Sequence, residues 1–420
     1  MPGPLSYADA LQLISGLPAP AATVDVPLAA AHGRWLAADV TLAGDLPPFD
    51  RATMDGFAVR LDGDQVTFAV LGMVPAGSRF EGTLAPGEGV RIMTGAPAPA
   101  DSTVIPIELT NQASRPSTQR GITHRTISSC AAVTVTDRSA LVPRRNIAFH
   151  GEDGRRGAVV VRAGTRLGPA TLAVAAMAGA TTLWVHQPTR LAIVTTGDEV
   201  GGSGAAAIND SNGPFLAAFC QSLGLPFTQA HAADDAIALR ASLVLGFDHA
   251  DVVVTTGGVS AGDKDLIPVL APSLGLTTIF HHVAMQPGKP VFLAKRSDGK
   301  YLVGLPGNPV SVLATAHLIL LPLLRQLAGL PAAGAWERLP LAQPAHNRGK
   351  RQLFLPARRT AAGIEPIAWN GSGDLIAAAA GDCLIDLAPG QQAAAGELIG
   401  VLPYCGTERG ATGILPPRGA

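Results

Sequence analysis

LAIVTTGDEV (residues 191–200), VVVTTGGVSAGDKD (252–265) and YLVGLPGNPVS (301–311) are the three stretches whose reading decides the fold. Each begins as a short apolar run of the buried-strand type and ends in a polar turn. A helical pattern follows each turn, directly or after a loop. Strand, turn and helix repeated in that order specify a mostly parallel α/β sheet with helices on both faces. Ligands of such sheets bind beyond the carboxyl ends of the strands, where all three polar turns fall. The same patterns place strands at 191–195, 227–230, 252–255, 277–280, 291–294 and 301–303, and helices near 212–223, 235–246, 264–270 and 309–327.

Toward the N-terminus the pattern changes. Residues 7–15 read as a short amphipathic helix with Gly16 placed to end it, and a second helical stretch is expected around 28–35. Pro47-Pro48 breaks any helix, and Asp55-Gly56 is a tight-turn dipeptide entering a strand. Short strands at 66–71, 89–93, 102–107 and 132–135 alternate with Gly/Pro turns, the signature of a separate β-rich domain. Within it, 110–129 is polar and aperiodic and reads as a long exposed loop. A strand at 158–162 and a helix at 169–180, with Pro169 in its first turn, lead back to the central sheet. Beyond it, 331–348 reads as a Pro/Ala-rich linker, 352–403 as a small strand-rich domain and 405–420 as a loose tail.

The expected fold is therefore an α/β central domain at 181–330 plus β-rich accessory domains. These are a β-rich insert at 47–142, a connecting helix and strand domain drawn from 1–46 and 143–180, a C-terminal β domain at 331–405 and a tail at 406–420. The chain of 420 residues is too long for one ordinary core. Its 47% hydrophobic and 15% charged composition is that of an ordered globular protein, and a net charge of −1 argues against a general nucleic-acid binder. Cys130, Cys220, Cys383 and Cys405 form no C-x-x-C pair and read as free thiols. Residues 1–15 lack signal-peptide organisation, and apolar runs such as 170–180 are too short or interrupted to span a bilayer, so no membrane and a cytoplasmic location are expected.

Several residues carry candidate chemistry. Asp198 and Glu199 sit just past a strand, either as a solvated strand end or as oxygen ligands for magnesium, which prefers carboxylates. Gly257 and Gly258 permit close backbone approach, Ser260 can donate to an anion, and Asp263 and Asp265 add oxygens; an ordinary Gly-rich loop is the alternative. Asn308 and Pro309 suit N-cap and N1 of a helix, which explains them without a ligand, while free N–H groups of Val310 and Ser311 would suit a phosphate. Lys289 in MQPGKP reads as an exposed lysine or an oxyanion contact. Asp50, Asp55 and Asp153 occupy turns beside Arg51, Arg60 and Arg91, where surface charge is the default. Arg351 and Ser372 are individually weak signals. No G-x-G-x-x-G follows a strand, and there is no G-x-x-x-x-G-K-[ST] loop, G-x-S-x-G elbow or zinc-type histidine spacing.

Together these motifs resemble the molybdopterin molybdenumtransferase family, the bacterial MoeA proteins and the E domain of gephyrin. The matching pieces are PPFDRATMDGFAVR (47–60), VRIMTGAPAP (90–99), GEDGRRGAVVVRAGTRL (151–167), TTGDEV (195–200), DSN (210–212), TTGGVSAGDKD (255–265), PGKP (287–290) and LPGNPVS (305–311). MDGFAVR and MTGAP are specific to this family; TGDE, GGVS and PGNP also occur in the adenylyltransferase that precedes it in the pathway. The resemblance implies an elongated four-part subunit that dimerises. It implies insertion of molybdate into adenylylated molybdopterin with release of AMP, dependent on Mg2+. Carried over by position, the catalytic set is Asp55, Glu199, Asp234, Asp265 and Lys289, with Glu199 and Asp265 as metal ligands. The binding set is Thr94, Asp153, Gly257, Gly258, Ser260, Pro306, Gly307, Asn308, Ser311, Arg351 and Ser372. Three departures stand out: Gln286 where many members have Lys, Arg51 where Asn is frequent, and a longer polar 110–129 segment. The implied partners are a second copy of the chain, the adenylyltransferase and recipient molybdoenzymes. Spacing further suggests a site shared across a homodimer, with Asp55 supplied by the partner. The alternatives are an adenylyltransferase, which would lack both β domains, and a gephyrin-like scaffold without turnover.

Overall fold

The apolar runs that open the three decisive stretches lie side by side in a computed structural model, which describes residues 4–18, 22–112, 132–198, 200, 208–259, 266–334 and 336–406. Six strands follow the order Phe227–Ala232, Leu191–Thr196, Val252–Thr256, Tyr301–Leu305, Phe292–Arg296 and Leu276–His281. The first four are parallel, and Phe292–Arg296 runs antiparallel to both of its neighbours. Alternation along the strands builds two cores. Leu191, Ile193, Val252 and Val254 face a cluster with Leu216, Phe219, Val312 and Leu320, whereas Ala192, Val194 and Val253 face Leu239, Leu243 and Phe247. Helices thus cover both faces, as the near-continuous Val/Ile runs require. Each fully buried aliphatic side chain contributes on the order of 1.5–3 kcal/mol.

Helix Asn212–Leu223 and helix Ala236–His249 flank the sheet, the first closed by Gly224 in a left-handed conformation and the second capped by Asp235, whose carboxylate accepts the Ala238 N–H at 2.9 Å. The expected single helix at 309–327 is continuous but contains a π-turn at Ala316–Leu320. Pro322 has no N–H to give the preceding turn, and the wider turn accommodates that loss. By length and composition Pro309–Leu327 could cross a membrane, but 83% of its apolar 18-residue window is buried, and it serves here as a core helix.

The chain folds into two compact units. One comprises Met1–Ala38, Gly164–Gly168 and Thr182–Ala420, and contains the central sheet. Its helix Tyr7–Ser15 matches the expected span. The helix expected around 28–35 reduces to one 3-10 turn, Leu28–Ala30, preceded by strand Thr23–Pro27, which pairs with Thr182–His186. Backbone pairing overrides the helical pattern there: Gly33 donates to Leu167 O at 2.8 Å, and Trp35 O accepts the His186 N–H at 2.9 Å. The C-terminal sheet of this unit contains Gln352–Thr360, Cys383–Leu387, Leu398–Pro403 and Glu337–Pro340 in antiparallel array, with Gly363–Pro366 beside the first. The segment read as a linker at 331–348 therefore contributes an edge strand, where Pro340 is tolerated, and a second short strand, Ala345–His346, paired with Gln392–Ala393.

The other unit comprises Asp39–Ala163 and Pro169–Thr181. Its five-stranded sheet has the order Thr103–Pro106, Gly56–Val59, Glu88–Ile92, Thr67–Val74 and Ala132–Thr134. Gly56 has to be glycine, because a Cβ there would lie 1.9 Å from the Ile105 carbonyl oxygen of the adjacent strand. Helix Pro169–Met177 completes this unit. Most of the expected 110–129 loop, and the tail from 407, lie outside the described residues. Cys220, Cys383 and Cys405 are free thiols; burial pushes Cys220 up to about 12 and Cys405 up to about 11.

Candidate active site

Sheet register sets the three turns level with one another, since Thr195 pairs with Thr256 and Thr256 with Leu305. The first turn is anchored beneath by its threonines. Thr195 Oγ1 lies 3.1 Å from His231 Nδ1, and Thr196 Oγ1 donates to Thr256 O at 2.9 Å. Gly197 then turns the chain at φ +129°, and exposed Asp198 accepts the Asp234 N–H at 3.0 Å. That bond joins the end of one strand to the loop after another. Of the pair Asp234-Asp235, the second is engaged as a helix cap, leaving half-buried Asp234 at the sheet edge.

The second turn carries Gly257 at φ +88° and Gly258 at φ +67°. Gly257 donates to Leu305 O at 3.0 Å, and a Cβ on it would stand 2.7 Å from Thr196 Oγ1. A Cβ on Gly307, in the third turn, would lie 3.8 Å from the α-carbon of Gly257. The three turns are thus in van der Waals contact, with glycine at each close approach.

Asn308 occupies the N-cap position of helix Pro309–Thr315 but makes no side-chain cap. Its Nδ2 instead donates to Ser372 Oγ at 2.8 Å, and the Val310 N–H donates to Ser372 O at 3.0 Å. The Val310 amide is therefore not free for a phosphate as expected: the C-terminal β region has taken it. Ser311 is buried, its carbonyl accepting the Thr315 hydroxyl at 2.6 Å. Pro306 is buried and Gly307 exposed at the rim.

Lys289 is exposed in a turn whose Gly288 packs against the same helix, a Cβ there falling 2.4 Å from Thr315 Cγ2. Met285–Gln286 extends the C-terminal sheet in parallel beside Gln352-Leu353, and Arg351 Nη1 donates to Met285 O at 3.4 Å. Buried Asn347 fixes this corner through bonds to the carbonyls of Arg351, Leu387 and Ala388 at 2.8, 3.0 and 2.9 Å. Lys289, Gln286, Arg351 and Ser372 thereby belong to the same unit as the three turns. Glu199, Ser260, Asp263 and Asp265 lie outside the described residues.

Two residues missing from the expected site hold it together. Asn212 Nδ2 donates to Gly307 O at 2.8 Å, tying the start of one helix to the third turn. Asp210 Oδ1 accepts the N–H groups of Asn212 and Gly213, each at 2.9 Å. The sequence signal was DSN immediately before a helical pattern, where an Asp two residues ahead can satisfy first-turn amides.

The second unit carries its own polar cluster. Asp55 Oδ1 accepts both the Thr94 N–H at 2.7 Å and the Thr94 hydroxyl at 2.8 Å. Asp153 meets Arg51 at 3.5 Å. Asp50 accepts the His150 N–H at 2.8 Å and pairs with Arg144. The His150 amide first, and then Arg144, hold the Asp50 carboxyl below its usual range.

Family models match this chain in three consecutive segments: the MoeA N-terminal region (domain I and II) at residues 5–179, a probable molybdopterin binding domain at 192–326 and the MoeA C-terminal region (domain IV) at 338–404. A molybdopterin molybdenumtransferase from Staphylococcus aureus (strain Mu50) is 29% identical over 418 residues, covering 93% of each chain. One from Staphylococcus epidermidis is 29% identical over 421 residues, covering 95% of each. Among solved structures, the molybdopterin biosynthesis MoeA protein from Pyrococcus horikoshii is 27% identical, with a TM-score of 0.74 over 96% of this chain and 100% of its own. The domain series in order, near-complete coverage by relatives and agreement of fold lead to one conclusion: this chain belongs to the MoeA family.

Proposed function

We propose that this protein is a molybdopterin molybdenumtransferase that inserts molybdate into adenylylated molybdopterin and releases AMP in a magnesium-dependent step. The observation that carries this reading is the joined strand-end site, with Asn212 on Gly307, Asp198 on Asp234 and Asn308 on Ser372. It sits on the domain whose family model describes a probable molybdopterin binding domain. The relatives that cover nearly the whole chain are named for this activity.

In this reading the half-buried Gly257 and Gly258 and the exposed Gly307, which carry no side chains of their own, let a ligand approach the backbone closely. Lys289 and Arg351 supply positive charge for phosphate and oxyanion, and Ser311 and Ser372 border the site. Ser260 adds a donor, and Pro306 shapes the third turn. Asp234 stands by as a carboxylate at the sheet edge.

Among the described residues no three His, Cys, Asp or Glu side chains gather as a metal cage. Magnesium needs no such cage, since it takes one or two carboxylates and keeps several waters. The oxygen donors described at this edge, Asp198 and Asp234, are of the hard type that suits it. Glu199 and Asp265 would hold the ion, which supplies charge neutralisation at the phosphoanhydride.

The protein acts in the cytoplasm as a homodimer, with the adenylyltransferase and recipient molybdoenzymes as its partners. The Asp55–Thr94 pair belongs to a different compact unit from the three turns. We assign Asp55 to the partner's site, so that a C2 dimer forms two shared sites. Mixing the impaired Asp55→Ala and Glu199→Ala proteins under subunit exchange then raises activity above that of either alone, because one site of each heterodimer is intact. Verified exchange without recovery refutes the shared site. The reaction itself is tested by product analysis: molybdate-dependent AMP release supports it, whereas ATP-dependent adenylyl-molybdopterin formation identifies an adenylyltransferase.

A further inference from the structure

We propose that His281 is a positioning residue for the Gly257–Val259 turn, acting through the carbonyl of Val259; its link to catalysis rests on the function proposed above. Two consecutive glycines with positive φ give this turn little conformational restriction of its own. It is held instead from outside at each residue. Gly257 donates to Leu305 O at 3.0 Å, and Gly258 O accepts the Ile267 N–H at 3.2 Å. The Val259 side chain is buried in the notch left by Gly304, where a Cβ would come within 2.4 Å of Val259 Cγ1.

The Val259 carbonyl is met by a side chain, His281 Nε2, at 3.2 Å. A carbonyl can only accept, so Nε2 carries a proton and the imidazole donates. The ring is fixed in turn. It stacks on His282 with centroids 3.9 Å apart and 22° between planes, and it meets buried Phe292 edge-on at 5.6 Å. His281 ends strand Leu276–His281, so the bond runs from a rigid sheet element to a glycine turn. From Val259 the chain enters SAGDKD (260–265), the stretch that carries Ser260 and Asp265. Fixing Val259 therefore fixes the point from which those two candidate ligands depart.

The experiment compares full-length His281→Phe, His281→Gln and His281→Glu with the wild type. Phe keeps a packed ring without a donor, Gln keeps an N–H at similar reach, and Glu has the shape of Gln without the N–H. The readouts are molybdopterin binding and amide hydrogen exchange of residues 252–270. Losing one net hydrogen bond corresponds to about 3- to 10-fold weaker binding for Phe and Glu, with faster exchange at the Gly257 and Ile267 amides. Gln stays near wild type in both. Wild-type binding and exchange in Phe, or equal impairment in Gln and Glu, would overturn the proposal. Should His281→Phe fail to fold, the Gln and Glu pair decides it alone. Absence of molybdopterin binding and AMP release in the wild type would count against the functional reading, while exchange still decides the positioning role.

Discussion

Replacing Gly257 with alanine strikes the point where the first two turns meet. At φ +88° the residue is in the left-handed region, where an L-amino acid costs roughly 1–2 kcal/mol. The new Cβ would also stand 2.7 Å from Thr196 Oγ1, a hydroxyl engaged with Thr256 O at 2.9 Å. Moving that hydroxyl away gives up a bond of about 1 kcal/mol. The sum is about 2–3 kcal/mol, a large share of the roughly 5–15 kcal/mol that holds a typical protein together. Thr196→Ala removes the obstructing atom but not the backbone strain. The double variant should therefore recover about 1 kcal/mol relative to additivity. Urea unfolding followed by tryptophan fluorescence measures this, with molybdopterin titration on the same proteins. A Gly257→Ala protein with wild-type unfolding and binding, or strict additivity in the double variant, would refute the contact between the turns.

Three further outcomes are expected. Burial pushes the His317 imidazole down to about 4, with its Nδ1 donating to Leu313 O and its Nε2 accepting the Cys405 N–H. The folded state then binds fewer protons than the unfolded state between pH ~6.5 and ~4. This contribution, up to about 3 kcal/mol, is fully present above that window and lost as pH falls through it. Urea midpoints across the window should show a shallower acid slope for His317→Gln than for the wild type, and equal slopes would contradict the assignment. Gln286→Lys should tighten molybdate dependence at low salt, with the gain shrinking as salt rises, because lysine adds a point charge; an unchanged molybdate titration would place residue 286 away from the oxyanion. Glu199→Ala and Asp265→Ala should each slow AMP release on the order of 10–100-fold, and wild-type rates at saturating magnesium would remove them from the metal site.

The central sheet was legible because its strands are buried on both faces and read as unbroken Val/Ile runs bounded by Gly and Thr. Helix Asn212–Leu223 matched residue for residue, its apolar spacing and Gly224 marking both the span and the stop. The stretch at 28–35 misled because its spacing is helical while its partners, Leu167 and His186, are more than a hundred residues away in sequence. The 331–348 segment misled because an edge strand needs no apolar alternation and tolerates Pro340. At the site, the glycines announced the close approaches, but the bonds that join the turns did not show. Asn308 suited an N-cap, and only the fold reveals that Ser372, 64 positions away, draws it elsewhere. Asn212 looked like an ordinary first residue of a helix until Gly307 was placed opposite its amide.

Whether this protein inserts molybdate is decided by a single-turnover measurement with purified protein, magnesium and adenylylated molybdopterin, with and without molybdate. AMP release should depend on molybdate, with one molybdenum retained on the pterin for each AMP released. AMP release at the same rate without molybdate, or release with no molybdenum on the pterin, would contradict it.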